Sequence, residues 1–315
     1  MQRVLDPARI EAFAHRDIPR IRVPDRADVF AKRARRLRQL AGSESRGHGR
    51  AIGDYLRLMD VVAEAQQAAV KNLAVSRPSA EEIARARTHR MPLVHAVGLR
   101  RDPCWRGILG QLCDAILRSR EFPAGVRDTC ARLRDSRAQQ IEAQADALLT
   151  LQSAEIDAAA APFVMSALQV YWVHLASQFV AADVSQLEVP GVCPVCGTLP
   201  VASIVRADKD SQGYRYLHCA LCATEWHMVR VTCSQCLATQ DIAYHSIEGG
   251  SDAIRAESCG SCRSYRKILY QEKDTSVEPV ADDLASLALD LLLGEAGYHR
   301  ASGNPLLWQN PPEPV

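Results

Sequence analysis

The chain contains 315 residues, 47% of them hydrophobic, and its formal net charge at pH 7 is only +1. This length and composition suit about two globular domains with a sizeable core. Residues 191–273 carry nine Lys or Arg against eight Asp or Glu, so no basic excess marks this region. The composition therefore disfavours binding to DNA or RNA through their phosphates.

Residues 1–185 are predicted to form an all-helical domain, because apolar residues recur there at helical spacing between short breaks rich in Pro, Gly and Ser. Helices are predicted over residues 52–74, 80–86, 105–119, 124–149 and 162–181. An earlier helix has an apolar face made by Phe30, Ala34, Leu37 and Ala41. Its basic residues are expected on a solvated face, with partner binding as the alternative; they are Lys32, Arg33, Arg35, Arg36 and Arg38.

Residues 158–182 contain no Asp, Glu, Lys or Arg, as a membrane-spanning helix often does. Pro162, Gln169 and His174 interrupt this stretch and are costly in lipid, so we predict a buried core helix instead. The first residues contain neither a secretory signal nor a twin-arginine motif. We therefore expect a cytoplasmic protein without a membrane span.

After Val189, Pro190 and Gly191 the pattern changes to short alternating runs that predict hairpin strands, at residues 201–205 and 214–217. This region carries four C-x-x-C pairs, in two copies offset by 40 residues. The first copy contains Cys193, Cys196, Cys219 and Cys222, and the second contains Cys233, Cys236, Cys259 and Cys262. Two facing knuckles direct four thiolates toward one point, so the eight cysteines predict two metal sites of four cysteines each.

Each copy is predicted to form a rubredoxin-like or zinc-ribbon module, over residues 186–231 and 232–275. Thiolate tetrahedra suit zinc or iron, and the spacing does not decide between them. Structural disulfides are disfavoured in a cytoplasmic chain, and four pairs in register do not match a single thioredoxin motif. Ribbons this small rarely bury enough core to be stable alone, so structural metals are expected, with redox or sensing as the alternative.

The two copies differ in their first knuckle. Pro194 and Gly197 favour the tight turn in the first copy. The second copy has Ser234 and Leu237 at the matching positions. We therefore expect the second site to bind metal less rigidly.

Several other residues are not expected to be ligands. Cys104, Cys113 and Cys130 lack paired spacing and are predicted to be buried or idle thiols. Trp226 is expected to cap the ribbon core, or alternatively to contact a partner. The histidines near the cysteines are expected to be supporting or surface groups, because each tetrahedron already has four thiolates; they are His218, His227 and His245.

A C-terminal helix is predicted over residues 276–300, and an extended tail over residues 301–315. Asp282 and Asp283, near the start of this helix, are explained by capping and the helix dipole. The predicted fold class is therefore α+β: an N-terminal all-helical domain, two tandem rubredoxin-like or zinc-ribbon modules, and a C-terminal helix.

No segment has the pattern of a phosphate-binding loop, a dinucleotide-binding turn, a zinc protease or a serine hydrolase. A site closed by four thiolates also leaves no position for water or substrate. We therefore predict that the protein is not an enzyme.

The segments RYLHCALCATEWH at residues 215–227 and ADDLASLALD at residues 281–290 are not typical of ribbons in general. Together with residues 53–57, 193–197, 256–259 and 267–274, they resemble the FdhE family of formate dehydrogenase accessory proteins. The resemblance implies a cytoplasmic maturation factor that binds the catalytic subunit of a respiratory formate dehydrogenase before its export. It also implies that all eight cysteines bind metal, and it favours iron over zinc.

Two further functions stay open. One is an iron redox protein that passes electrons or senses oxygen. The other, less favoured, is a zinc ribbon that binds nucleic acid. The sequence does not predict an oligomeric state.

Overall fold

The computed structural model describes residues 18–44, 50–152 and 155–308. A short strand, β1 (Ile21–Arg22), comes first, and a series of helices follows it. These helices are α1 (Val29–Glu44), α2 (Arg50–Lys71), α3 (Ala80–Thr88), α4 (Cys104–Leu117), α5 (Ala124–Asp135), α6 (Ala138–Thr150) and α7 (Ala161–Ala176). The helical N-terminal region is thus confirmed. The helix predicted over residues 124–149 is in fact two helices, because Ser136 has an extended backbone (φ −68°, ψ 143°).

Helix α7 lies at the centre of the helical half, and all 16 of its residues are buried. Its polar side chains find partners inside the protein: the Trp172 indole donates to the Val94 carbonyl at 3.0 Å, and the Ser166 hydroxyl donates to the Pro162 carbonyl at 2.7 Å. The buried core helix is therefore confirmed, although it ends earlier than predicted. Among the described residues, no helix has both the length and the apolar character needed to cross a membrane.

The described strands form one mixed sheet, in which each cysteine copy supplies three antiparallel strands. The first copy gives β2 (Pro200–Val205), β3 (Arg215–Cys219) and β4 (Glu225–His227), and the second gives β5 (Ile242–His245), β6 (Ile254–Cys259) and β7 (Ser264–Tyr270). Strands β2 and β7 pair in parallel, with Ser203 opposite Ile268, and β1 extends the sheet beside β4. The two modules therefore share one sheet.

The predicted C-terminal helix is two helices, α8 (Pro279–Ala285) and α9 (Leu287–Glu295). They meet at Ser286, whose backbone (φ −106°, ψ 38°) is not helical. A short strand, β8 (His299–Arg300), then pairs in parallel with β7. The predicted extended tail packs onto the protein as far as residue 308: Leu306 is 1% exposed, and its carbonyl accepts a hydrogen bond from the Tyr55 hydroxyl.

Two arginines of α1 are buried, so the prediction of a solvated face was wrong for them. Arg33 Nε donates to Glu278 Oε1 at 3.1 Å, and Arg36 Nε contacts both carboxylate oxygens of Asp282, at 3.0 and 2.9 Å. The carboxylates are 245 and 246 residues further along the chain, which is why helical spacing alone missed them. These ion pairs fasten α1 to α8.

The capping interpretation was incomplete for Asp282 and wrong for Asp283. Asp282 does accept the Glu278 N–H at 2.7 Å, but its main partner is Arg36. Asp283 is fully buried beside Lys267, at 3.5 Å, and beside Arg300. Burial opposes ionisation of Asp283, yet these two cations hold its pKa below the usual value.

Arg36→Met would leave the buried Asp282 carboxylate without its cation. We expect this substitution to lower the free energy of unfolding by about 3–5 kcal/mol. Arg35→Met, on the exposed face of the same helix, is the matched control and should change it by less than about 0.5 kcal/mol. Urea unfolding followed by circular dichroism measures both values. If both substitutions change the free energy of unfolding by the same small amount, the ion pair does not hold α1 to α8.

Candidate metal centres

All four C-x-x-C knuckles share one backbone turn. The residue after the second cysteine has a positive φ in every case: 77° at Gly197, 57° at Ala223, 65° at Leu237 and 58° at Arg263. In the first knuckle of each copy, the N–H of this residue donates to the carbonyl of the first cysteine, at 2.8 Å from Gly197 and 3.0 Å from Leu237. The second copy thus forms the same turn without the Pro and Gly of the first.

The turn suits Gly197 much better than Leu237. A positive φ brings the Cβ of an ordinary residue too close to the backbone, and glycine avoids this strain. At position 197 a second constraint applies, because a Cβ added there would lie 3.0 Å from the His95 ring. The Leu237 side chain is 47% exposed, so its packing offsets little of this backbone strain. This local strain supports the expectation of a less rigid second site, which stays a prediction.

The first cluster brings four buried sulfurs together, all within 4.8 Å of one another. Cys193 Sγ lies 3.5 Å from Cys222 Sγ, and Cys196 Sγ lies 3.4 Å from Cys219 Sγ. A tetrahedron with metal–sulfur bonds of about 2.3 Å has its sulfurs about 3.8 Å apart. These two separations are slightly shorter than that value, and the four sulfurs together are compatible with a single thiolate-bound ion.

Hydroxyl and N–H groups lie beside the sulfurs of the first cluster. The Thr198 hydroxyl is 3.1 Å from both Cys196 Sγ and Cys219 Sγ, and the Cys222 thiol donates to the Thr224 hydroxyl at 3.1 Å. The Leu221 N–H also donates to Cys219 Sγ, at 3.4 Å. The N–H donates to sulfur as it stands, and the hydroxyls can donate once the thiols are ionised. Such hydrogen bonds stabilise negative charge on sulfur, as ligation of a metal by thiolates requires.

The second cluster has the same plan in a more open setting. Cys233 Sγ lies 3.7 Å from Cys262 Sγ, and Cys236 Sγ lies 3.7 Å from Cys259 Sγ. Cys236 is exposed and Cys262 is half-buried. Burial acts to raise the pKa of Cys262, but hydrogen bonds with Ser264, Cys236 and Cys233 together outweigh this effect and lower the pKa to about 7. This group could also hold one ion, closer to solvent than the first.

The helical half encloses the first cluster. The N–H groups of Val94 and Ala96 donate to the carbonyls of Val195 and Cys196, at 2.8 and 2.9 Å. From α7, the Gln169 amide donates to the Ala220 carbonyl at 2.7 Å, inside the other knuckle of the same cluster. Gln169 also accepts a hydrogen bond from Arg33 at 3.1 Å. Polar contacts therefore connect α1, α7 and the first cluster.

The remaining candidate residues lie outside both clusters. Cys113 and Cys130 are buried, and Cys104 is partly buried. His218 contacts Glu225 at 3.0 Å, while His227 and His245 are within hydrogen-bond distance of Arg20 and Ser258. Trp226 is only 5% exposed and donates to the Pro190 carbonyl at 2.7 Å. Trp226 thus caps the fold as expected, and the alternative of an exposed partner contact was wrong.

The hydroxyl groups beside the sulfurs were missed in the sequence, although a signal was present. Thr198, Thr224 and Ser264 each stand two residues after the second cysteine of a knuckle. The fourth such position is Ala238, which has no hydroxyl. The first cluster therefore has two hydroxyl-bearing knuckles, and the second cluster has one.

Three domain models of a single family match the chain: FdhE N-terminal over residues 18–188, FdhE central domain over residues 192–230, and FdhE C-terminal domain over residues 231–307. A protein FdhE homolog of Cronobacter sakazakii is 40% identical over 292 residues, which is 92% of each chain. Protein FdhE of Salmonella paratyphi A is 39% identical with the same coverage. The crystal structure of the FdhE protein from Pseudomonas aeruginosa is 38% identical, with a TM-score of 0.78 over 93% of this chain and 100% of that one.

Leu237→Gly is expected to relieve backbone strain in the second cluster. The free energy of unfolding should rise by about 0.5–1 kcal/mol, since the relief of strain is partly offset by the greater freedom of glycine in the unfolded chain. Gly197→Ala is the reciprocal change in the first cluster and should destabilise the protein. Chemical unfolding of both variants with matched metal content measures the two effects. A destabilised Leu237→Gly variant would contradict the role assigned to this turn.

Proposed function

The chain belongs to the FdhE family, and from that premise we propose that it is an accessory protein for the maturation of a respiratory formate dehydrogenase. It acts in the cytoplasm, where it binds the catalytic subunit before export, and it has no enzymatic activity of its own. The observation that carries this proposal is the match of all three FdhE domains between residues 18 and 307, together with the two clusters of four cysteines.

In this proposal each cluster binds one metal ion, and iron is favoured over zinc. Cys193, Cys196, Cys219 and Cys222 hold the first ion, and Cys233, Cys236, Cys259 and Cys262 hold the second. The sulfur separations and the donors beside the sulfurs support thiolate ligation. Iron in a thiolate tetrahedron supplies one-electron chemistry, whereas zinc supplies only a structural link.

The closed donor sets support a role other than catalysis. Four thiolates fill the tetrahedron and leave no position on the ion for water or substrate. The first cluster is also buried under the helical half, through the contacts of Val94, Ala96 and Gln169. An ion there serves the fold and the shape of the surface that a partner meets.

An alternative is an iron redox protein, and the exposure of the second cluster favours it. Cys236 is exposed and Cys262 is half-buried, so an electron donor can approach this site closely. Reversible, one-electron bleaching of an iron–thiolate absorption band is the expected sign of this function. Full support of formate dehydrogenase maturation by the zinc-loaded protein would exclude this redox function.

The maturation role is tested in a strain that lacks the gene. We expect formate dehydrogenase activity to be lost there and to return with the wild-type gene. The catalytic subunit should also co-purify with the tagged protein. Normal formate dehydrogenase activity without the gene would contradict the proposal, whatever metal the protein contains.

The ligand assignment is tested by metal content. Cys219→Ser is expected to reduce the content from two ions per chain to one, because three thiolates hold an ion far less tightly than four. Cys113→Ser replaces a buried thiol outside both clusters and is the control that should keep both ions. Elemental analysis after oxygen-free purification measures the number of metal ions per chain in each variant. Two ions in Cys219→Ser would refute the assignment.

A further inference from the structure

Arg266, in β7, is a buried arginine whose hydrogen-bond partners are all neutral. Its side chain joins the two modules: Nε donates to the Ser234 hydroxyl at 2.8 Å, inside a knuckle of the second cluster, and Nη1 donates to the Pro200 carbonyl and to the Ser302 hydroxyl. Nη2 has no partner among the described residues. The residue is 4% exposed, so solvent does not compensate its charge.

Other buried cations of this protein are paired with carboxylates. Arg33 lies 3.1 Å from Glu278, Arg215 lies 2.8 Å from Glu257, and Lys267 lies 2.6 Å from Asp290. A buried charge without an opposite charge is strongly unfavourable, which explains these pairs. Arg266 forms no ion pair with a carboxylate among the described residues. Burial, together with repulsion from Arg215 and Arg300, lowers the pKa of Arg266 to about 9, and the longer-range attraction of Asp283 does not offset this. The charge of Arg266 therefore needs another source of compensation.

The surroundings of Arg266 restrict what that source is. It lines a cavity of about 10 Å³ together with Cys233, Ser234, Glu257 and Cys259. This volume suits about one water molecule and is too small for a bound phosphate or carboxylate ligand. Glu257 is already engaged, by Arg215 at 2.8 Å and by the Tyr244 hydroxyl at 2.9 Å. The negative groups left in the wall of the cavity are the cysteine sulfurs.

We propose that the metal-loaded second cluster is the counter-ion of Arg266. Arg266 then strengthens metal binding at the second cluster and leaves metal binding at the first cluster unaffected. Four thiolates around a divalent ion carry a net charge of about −2. A fixed guanidinium in a buried setting stabilises that charge without contributing a ligand. With iron in the site, the same charge favours the more negative, ferrous form. The inference rests on the proposed metal sites and not on the role in formate dehydrogenase maturation.

The test uses the full-length protein loaded with two zinc ions and titrated with a chromogenic zinc chelator. Cys236→Ser identifies the binding step that belongs to the second cluster. Arg266→Gln is expected to weaken zinc binding in that step by at least about tenfold and to leave the first cluster unchanged. Arg266→Lys keeps the charge and should recover part of the affinity.

Arg255→Gln is the matched control. Arg255 lies in β6 of the same module, 5.4 Å from the centre of the Tyr270 ring, and it does not line the cavity. This variant should bind both zinc ions as the wild-type protein does. Unfolding of the metal-free proteins distinguishes the effect of the Arg266 charge from the effect of its packing. Without metal, Arg266→Gln should be no less stable than wild type, because the uncompensated charge has been removed.

Equal zinc affinity in Arg266→Gln and wild type would overturn the inference. So would an equal loss of stability in the metal-free and loaded forms of Arg266→Gln, since that result describes a purely structural arginine. If Arg266→Gln does not fold, Arg266→Met and Arg266→Lys are compared in the same titration. A wild-type protein that binds no zinc at the second cluster would refute the metal site itself, before any variant is considered.

Discussion

The first cysteine cluster joins the helical half of the protein to its sheet. Val94 and Ala96 bind the backbone of one knuckle, and Gln169 binds the backbone of the other. Strand β2 begins soon after the first knuckle, and β3 runs directly into the second. Four thiolates packed this closely repel one another unless a cation lies between them. An ion bound in this cluster would therefore also hold the sheet in its position beside α7.

The two copies share one backbone turn and differ in their surroundings. The first cluster is buried, has hydroxyl groups from Thr198 and Thr224, and is covered by the helical half. The second is partly exposed and has the Ser264 hydroxyl beside Cys262. Burial and dense hydrogen bonding suit a permanent structural ion, whereas exposure suits exchange or electron transfer. The two copies thus provide one buried cluster suited to a structural ion and one exposed cluster suited to exchange or electron transfer.

The sequence was most informative where the signal is local. The spacing of the eight cysteines predicted two clusters, and the absence of charged residues over residues 158–182 predicted the core helix α7, as the structure bears out. Contacts between distant segments could not be predicted in this way. The parallel pairing of β2 with β7, the burial of Arg36 against Asp282, and the docking of Leu306 all join residues far apart in the chain. Leu237 stood out in the sequence because it lacks the freedom of Gly197, but its backbone still has a positive φ of 65°. The cluster imposes this conformation against the local propensity, which the sequence could not show.

Hydrogen exchange measured by mass spectrometry, on Cys196→Ser and Cys236→Ser beside the wild-type protein, tests the joining role of the first cluster most directly. Loss of the first ion should speed amide exchange in α7 and in residues 94–99, in addition to β2 and β3. Loss of the second ion should speed exchange mainly in residues 232–275. Unchanged exchange in α7 of a Cys196→Ser protein that has lost its ion would contradict this account.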